Sequence, residues 1–151
     1  MTNSDTSYKS DMSIDERVMM AILRVAERFK RESAAISKNY GLTFPQYNVL
    51  RILDASENGQ NTIKNVNRIM LVSGANLTGI TKRLDKMGFI IKKNDPKDDR
   101  LKWLEITAKG RQVLKNISEE KELNMKKYVK QYSDEEKSKI LSVMKGILKS
   151  E

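Results

Sequence analysis

One change of period between Thr62 and Ile106 restricts the fold more than any other feature of the chain. Up to Met87 the apolar residues recur at helical spacing. Thr62 to Ile69 reads as a short amphipathic helix. Ser73 is placed to cap a second helix running to Met87, with Leu77, Ile80 and Leu84 facing inward and Gly88 as its stop. Met70, Leu71 and Val72 separate the two, which is helix-turn-helix spacing. Beyond Gly88 the pattern becomes that of strands: Phe89 to Ile91 and Leu101 to Ile106 are β-branched, aromatic or aliphatic runs joined by the turn-forming stretch Asn94 to Asp99. A helix-turn-helix followed by a hairpin is a winged helix, so the expected class is mainly α (α+β).

The flanks are helical. Ser13 to Glu16 reads as a capping box, followed by Ile14, Val18, Ile22, Val25 and Phe29 at spacings of three and four, with Gly41 as a left-handed stop. Thr43, Phe44, Pro45 and Gln46 form a second box, opening a helix that Asn58-Gly59 ends in a turn. Thr107 caps a long helix through Leu114, Ile117, Met125 and Val129 to about Gln131. Ser133 to Glu136 opens a last one, with Ile140, Met144, Ile147 and Leu148 on one face. An isolated amphipathic helix of this kind leaves its apolar face wet, so pairing with the same helices of a second chain is the simplest use of both ends. The expected organisation is a flexible N-terminus (1–12), a helical dimerisation region (13–41 and 108–151) and a winged helix-turn-helix lobe (42–107). There is no internal repeat, low-complexity tract or linker.

Composition excludes much of enzymology. Among 151 residues there is neither cysteine nor histidine, so a thiol nucleophile, a disulfide framework, a thiolate metal site and the usual general base are all absent. Metal and cofactor are not expected. No apolar run is long enough to span a bilayer, and Met1 to Met12 is polar without the marks of a signal or transit peptide, so a cytoplasmic location is expected. The net charge of +9 favours a polyanionic partner. Of that charge, +6 falls between Thr62 and Trp103, about a quarter of the chain, as a phosphate-contacting lobe requires.

Within that lobe, a recognition helix needs short polar side chains at its N-terminus to reach base edges. Ser73, Ala75, Asn76 and Thr78 meet that need, Asn76 having the groups to pair bidentately with adenine, while Lys82, Arg83 and Lys86 sit one to two turns later as phosphate contacts. The same residue types also suit a solvated, capped helix. At the hairpin tip, Arg100 stands where a wing inserts a guanidinium into a minor groove, with Asp98 placed to hold it. A plain solvated turn is the alternative. A calcium loop is a poor one, because the aspartates lack the required spacing and no distal glutamate follows.

The run Ser73-Gly74-Ala75-Asn76-Leu77-Thr78-Gly79-Ile80-Thr81-Lys82-Arg83-Leu84-Asp85-Lys86-Met87-Gly88-Phe89-Ile90, then Asp95 to Arg100 and Leu104 to Gly110, closely resembles the MarR family of bacterial transcription regulators. Gly41 to Leu50 is similar to that family's entry into its second helix, and the likeness extends from about Ile14 to Leu148. The resemblance implies a homodimer whose end helices interlock while two winged lobes grip a palindromic operator in double-stranded DNA. It puts Ser73 to Thr78 and Lys82 on groove or flanking phosphate positions, and Asp98 and Arg100 on the wing-tip Asp-x-Arg pair. Asp99 departs from the family, where many members carry a second arginine. Many members also bind a small aromatic or phenolic effector between the dimerising helices and the lobe; Phe29, Tyr40, Phe44, Tyr47 and Met125 are the candidate lining here, although aromatic and methionine residues at helical spacing are more often ordinary core.

Two other function classes fit less well. A winged helix that had lost DNA binding predicts a depleted recognition helix and a neutral wing, against Lys82, Arg83, Lys86, Lys92, Lys93 and Arg100. A hydrolase using Asp98 and Asp99 lacks a histidine, a cysteine, a phosphate-cradling loop and carboxylates on separate elements. The sequence therefore reads as a DNA-binding transcriptional regulator, in this family most often a repressor, and not an enzyme.

Overall fold

Short polar side chains fix where each helix starts. The computed structural model describes residues 11–70 and 76–150, so the expected flexible N-terminus, apart from Asp11 and Met12, lies outside the described residues, as do Ser73 and Ala75. Ser13 Oγ accepts the Glu16 N–H at 3.2 Å and begins α1 (Ile14–Asn39). Gly41, at φ +74°, ends it: its N–H bonds Lys38 O, the Leu42 N–H bonds Ser37 O, and Leu42 is turned into the core.

The Thr43–Gln46 capping box opens α2 (Phe44–Asp54), the most buried helix, with Tyr47, Val49, Leu50, Ile52 and Leu53 all inside. It touches α1, α5 and the lobe alike, as a helix apolar on nearly every side must. It stops at Asp54, short of the expected turn; Asn58 and Gly59 instead form a 3₁₀ turn (Glu57–Gly59) with both residues at positive φ. Strand β1 (Gln60–Thr62) follows, an element the sequence did not suggest, and Thr62 Oγ1 then caps α3 (Ile63–Ile69).

The next helix differs from expectation at its start. α4 (Leu77–Lys86) is capped by Asn76, not Ser73: Asn76 Oδ1 accepts the Gly79 N–H at 3.0 Å, and its backbone, at φ −73° and ψ 92°, is not helical. Asparagine caps as well as serine does, and Asn76 is the residue whose side chain reaches the third amide of this helix. Leu77, Thr81 and Leu84 face inward, and Gly88, at φ +76°, closes the helix as expected.

Strands β2 (Ile90–Asn94) and β3 (Lys102–Ile106) form the expected hairpin, pairing Ile90 with Ile106 and Lys92 with Leu104. β1 adds to the free edge of β3, giving an antiparallel sheet of order β1-β3-β2. Thr107 caps α5 (Ala108–Val129), whose first turn lies so close to the sheet that a Cβ on Gly110 would sit 2.2 Å from the Phe89 carbonyl oxygen. Ser133 and Glu136 complete the box that starts α6 (Asp134–Lys149).

Side chains of α2, α3, α4, the sheet and the first half of α5 make one apolar core, including Val66, Leu84, Leu104, Leu114 and Ile117. The end helices are held to it at few points. Only Ser33 and Ser37 of α1 are buried, and no residue of α6 is. Glu32 links α1 to α5 by accepting from Asn124 Nδ2 at 2.9 Å and from the Tyr128 hydroxyl, which together hold its carboxyl down at about 2. No helix among the described residues is long and apolar enough to cross a membrane.

Candidate nucleic-acid interface and interhelical cavity

Burying Leu77, Thr81 and Leu84 leaves Thr78, Lys82, Arg83 and Lys86 on the outer side of α4, all exposed. Among the described residues, no ion pair engages Lys82, Arg83 or Lys86. Asn76 is exposed at the amino end, where its Oδ1 accepts the capping bond. Asn76 thus serves as the helix cap in this structure, with a second lone pair on Oδ1 and both Nδ2 protons still available to a partner.

The wing is built by carboxylates. Asp95 Oδ1 accepts the N–H groups of Lys97 at 2.8 Å and Asp98 at 3.2 Å, while Oδ2 accepts from Trp103 Nε1 at 2.9 Å. These contacts, the Lys97 amide foremost, hold the Asp95 carboxyl below the usual aspartate range. Asp98 Oδ1 accepts the backbone N–H of Arg100 at 2.9 Å. The expected Asp98–Arg100 pair therefore exists through the main chain and not through the guanidinium, because an aspartate two residues before an amide satisfies it more readily than it reaches a long side chain. The Arg100 guanidinium, exposed at the tip with Lys97, makes no ion pair among the described residues. On the strands, Lys93 is neutralised by Glu105 across the ladder, whereas Lys92 is exposed without an ion pair among the described residues. No group of three acidic side chains among the described residues is placed to hold a metal ion.

A second feature lies between α1, α2 and α5: a cavity of about 360 Å³ whose lining brings together Phe29, Phe44, Tyr47 and Met125, four of the five candidate residues, from three helices, with Arg51, Ser118 and Glu122 beside them. Tyr40 is not among its lining; its hydroxyl donates to Glu120 Oε2 at 3.0 Å. The most unusual group in the cavity escaped the sequence reading. Lys121 is only 4% exposed, and its Nζ has no hydrogen-bond partner among the described residues, standing 3.3 Å from the Tyr47 ring centroid and 4.9 Å from that of Phe44. Burial, reinforced by the Arg51 guanidinium, lowers its ammonium to about 8. Asn48, on the same wall, has a buried Nδ2 that also lacks a partner. The signal was present: Leu114, Ile117, Lys121 and Met125 recur at helical spacing, so a lysine occupies an apolar stripe.

Apolar side chains along the end helices stay uncovered within one chain. Ile14, Val18, Met19, Leu23 and Val25 of α1, Leu123 of α5, and Ile140, Leu141, Val143 and Leu148 of α6 are all exposed.

Residues 31–117 match the family model described as transcriptional regulator SarA/Rot. The chain is 32% identical over 108 residues to the HTH-type transcriptional regulator TtmR of Methylorubrum extorquens, a match covering 72% of this chain and only 54% of TtmR. Among solved structures it is similar to Sco5413, a MarR family regulator from Streptomyces coelicolor, at 25% identity and a TM-score of 0.73, covering 88% of this chain and 91% of that one. Sco3205, a MarR family regulator of the same organism in complex with DNA, shares the fold at a TM-score of 0.80 and 16% identity, covering 95% and 91%. NadR in complex with 4-hydroxyphenylacetate shares it at 0.72 and 21%, covering 95% and 99%.

Proposed function

The chain belongs to the SarA/Rot family of transcriptional regulators, with the winged-helix fold of MarR family regulators, and on that footing we propose that it acts as a homodimeric repressor of a pseudo-palindromic operator, working in the cytoplasm and released by a small aromatic or phenolic ligand. It is a regulator and not an enzyme.

The observation that carries the reading is the surface formed by α4 and the wing tip, where Lys82, Arg83, Lys86, Lys97 and Arg100 are exposed without ion pairs among the described residues. Cations left uncompensated on one side of a helix-turn-helix are what a phosphate backbone neutralises. In this reading Thr78 reaches base edges, Lys82 and Arg83 hold phosphates, and Arg100 enters the minor groove beside them. Asp98 serves by shaping the tip. Ser73 and Ala75, which precede α4 in the sequence and lie outside the described residues, contact the DNA alongside it in the same reading. The helical segments 13–41 and 108–151 provide the dimer contact, and their uncovered apolar side chains support this, since a lone chain with such faces would associate. The winged lobe spans 42–107.

The cavity supports a ligand step. Its flat aromatic walls suit a ring, and it joins α1 and α5 to the lobe's central helix, so an occupant would change the separation of the two α4 helices; a few kcal/mol of coupling would release DNA.

The test is selection of bound fragments from genomic DNA followed by DNase footprinting. Protection should show two half-sites with centres about one helical turn, roughly 10 base pairs, apart. A footprint without two-fold symmetry, or a monomer in sedimentation at micromolar concentration, would overturn the proposal.

A further inference from the structure

We infer that the cavity between α1, α2 and α5 captures aromatic aldehydes covalently, as a Schiff base on Lys121 Nζ. The inference rests on the reading of this cavity as a ligand site and adds the chemistry by which one class of ligand is held.

Its geometry is that of an amine kept available. Lys121 Nζ meets ring faces, and among the described residues neither an ion pair nor a hydrogen bond engages it. With its ammonium held at about 8 instead of 10.5, the free amine near neutral pH is on the order of 100-fold more abundant than on a surface lysine. A lysine desolvated in an apolar pocket is the kind that forms Schiff bases. At about 360 Å³ the cavity falls within the roughly 300–1,000 Å³ of small-molecule sites.

The reaction needs no reagent beyond the solvent. The Nζ lone pair attacks the aldehyde carbon, both amine protons pass to the carbonyl oxygen, which departs as water, and the neutral C=N bond that remains takes up one proton from solvent. Asn48 Nδ2, a buried donor without an acceptor on the same wall, is available to the oxygen as it gains charge.

The test treats the full chain with benzaldehyde and cyanoborohydride and maps the product by peptide mass. One benzyl group per chain is expected, on Lys121, at least about tenfold ahead of every other lysine. Labelling scattered over surface lysines, or absent from Lys121, would overturn the inference; the wild-type map decides this even if Lys121→Arg fails to fold. A folded Lys121→Arg chain should lose the selective adduct. Benzyl alcohol, with the same ring and no carbonyl, separates the two readings when followed by ligand-observed NMR. If it binds while benzaldehyde leaves no adduct on Lys121, the Schiff base falls and the cavity reading stands. If neither ligand binds, both fall.

Discussion

Lys121→Met should stabilise the protein near neutral pH, by an amount that shrinks as pH rises. The ammonium sits at about 8 in the folded chain against 10.5 when solvated, because burial, and then the Arg51 guanidinium, disfavour its charge. That gap corresponds to about 3 kcal/mol set against folding wherever both states carry the proton. The Tyr47 and Phe44 faces return about 0.5 to 1 kcal/mol to the cation, and a methionine keeps the packing with a thioether against the same rings. The expected net gain is therefore about 2 kcal/mol. Below about 8 the folded state holds its proton at a disadvantage. Between about 8 and 10.5 only the unfolded chain still binds it, so wild-type stability climbs with pH, and above 10.5 the electrostatic difference is gone. Urea unfolding of both proteins, followed by circular dichroism at one fixed chain concentration across that range, measures the gap. A variant less stable than wild type at neutral pH, or a difference that stays constant with pH, would refute the reasoning. A stabilised variant that no longer responds to a ligand would identify Lys121 as a residue kept at the expense of stability.

Gly110→Ala should destabilise by about 2 to 4 kcal/mol, since the new methyl would fall 2.2 Å from the Phe89 carbonyl oxygen and 2.9 Å from Ile106 Cγ1, and backbone must yield; a midpoint of thermal unfolding within a degree or so of wild type would contradict that packing. Arg100→Ala should weaken operator binding by about 1 to 3 kcal/mol at matched salt, read by fluorescence anisotropy, and an unchanged affinity removes the wing from the interface. Lys82→Ala should lower affinity for all duplexes alike and flatten the salt dependence by about one unit; a loss confined to cognate DNA would make Lys82 a base reader. Asp95→Ala should leave Lys97, Asp98 and Trp103 without their shared acceptor, shifting the emission of the chain's single tryptophan and weakening operator binding, with a stability loss of only about 1 kcal/mol; unaltered emission would show that the tip does not depend on this carboxylate.

Some of this architecture is written locally, and some is not. Ser13, Thr43, Thr62, Thr107 and Ser133 begin helices because a hydroxyl reaching an amide three residues on needs nothing beyond its own turn. Gly41 and Gly88 end helices for a similarly local reason, since both sit at positive φ. The wing hairpin and the concentration of cations around it follow from period and composition alone. In contrast, β1 is Gln-Asn-Thr, with no apolar alternation to announce it, and it is a strand only because the free edge of β3 offers Glu105, Leu104 and Trp103 as partners. Asp98 bonding the Arg100 amide in preference to its guanidinium depended on how the tip closed, a choice among partners that spacing leaves open.

Lys121 marks the boundary most clearly. Periodicity places it on the apolar side of α5, yet whether a lysine there reaches water or is enclosed depends on where α2 brings Phe44 and Tyr47, more than 70 positions earlier in the chain. Caps, turns and periods are properties of a few consecutive residues and can be read from them directly. Burial, and with it the proton affinity of an amine and the existence of a cavity, is set by neighbours distant in sequence, and only packing decides who those neighbours are.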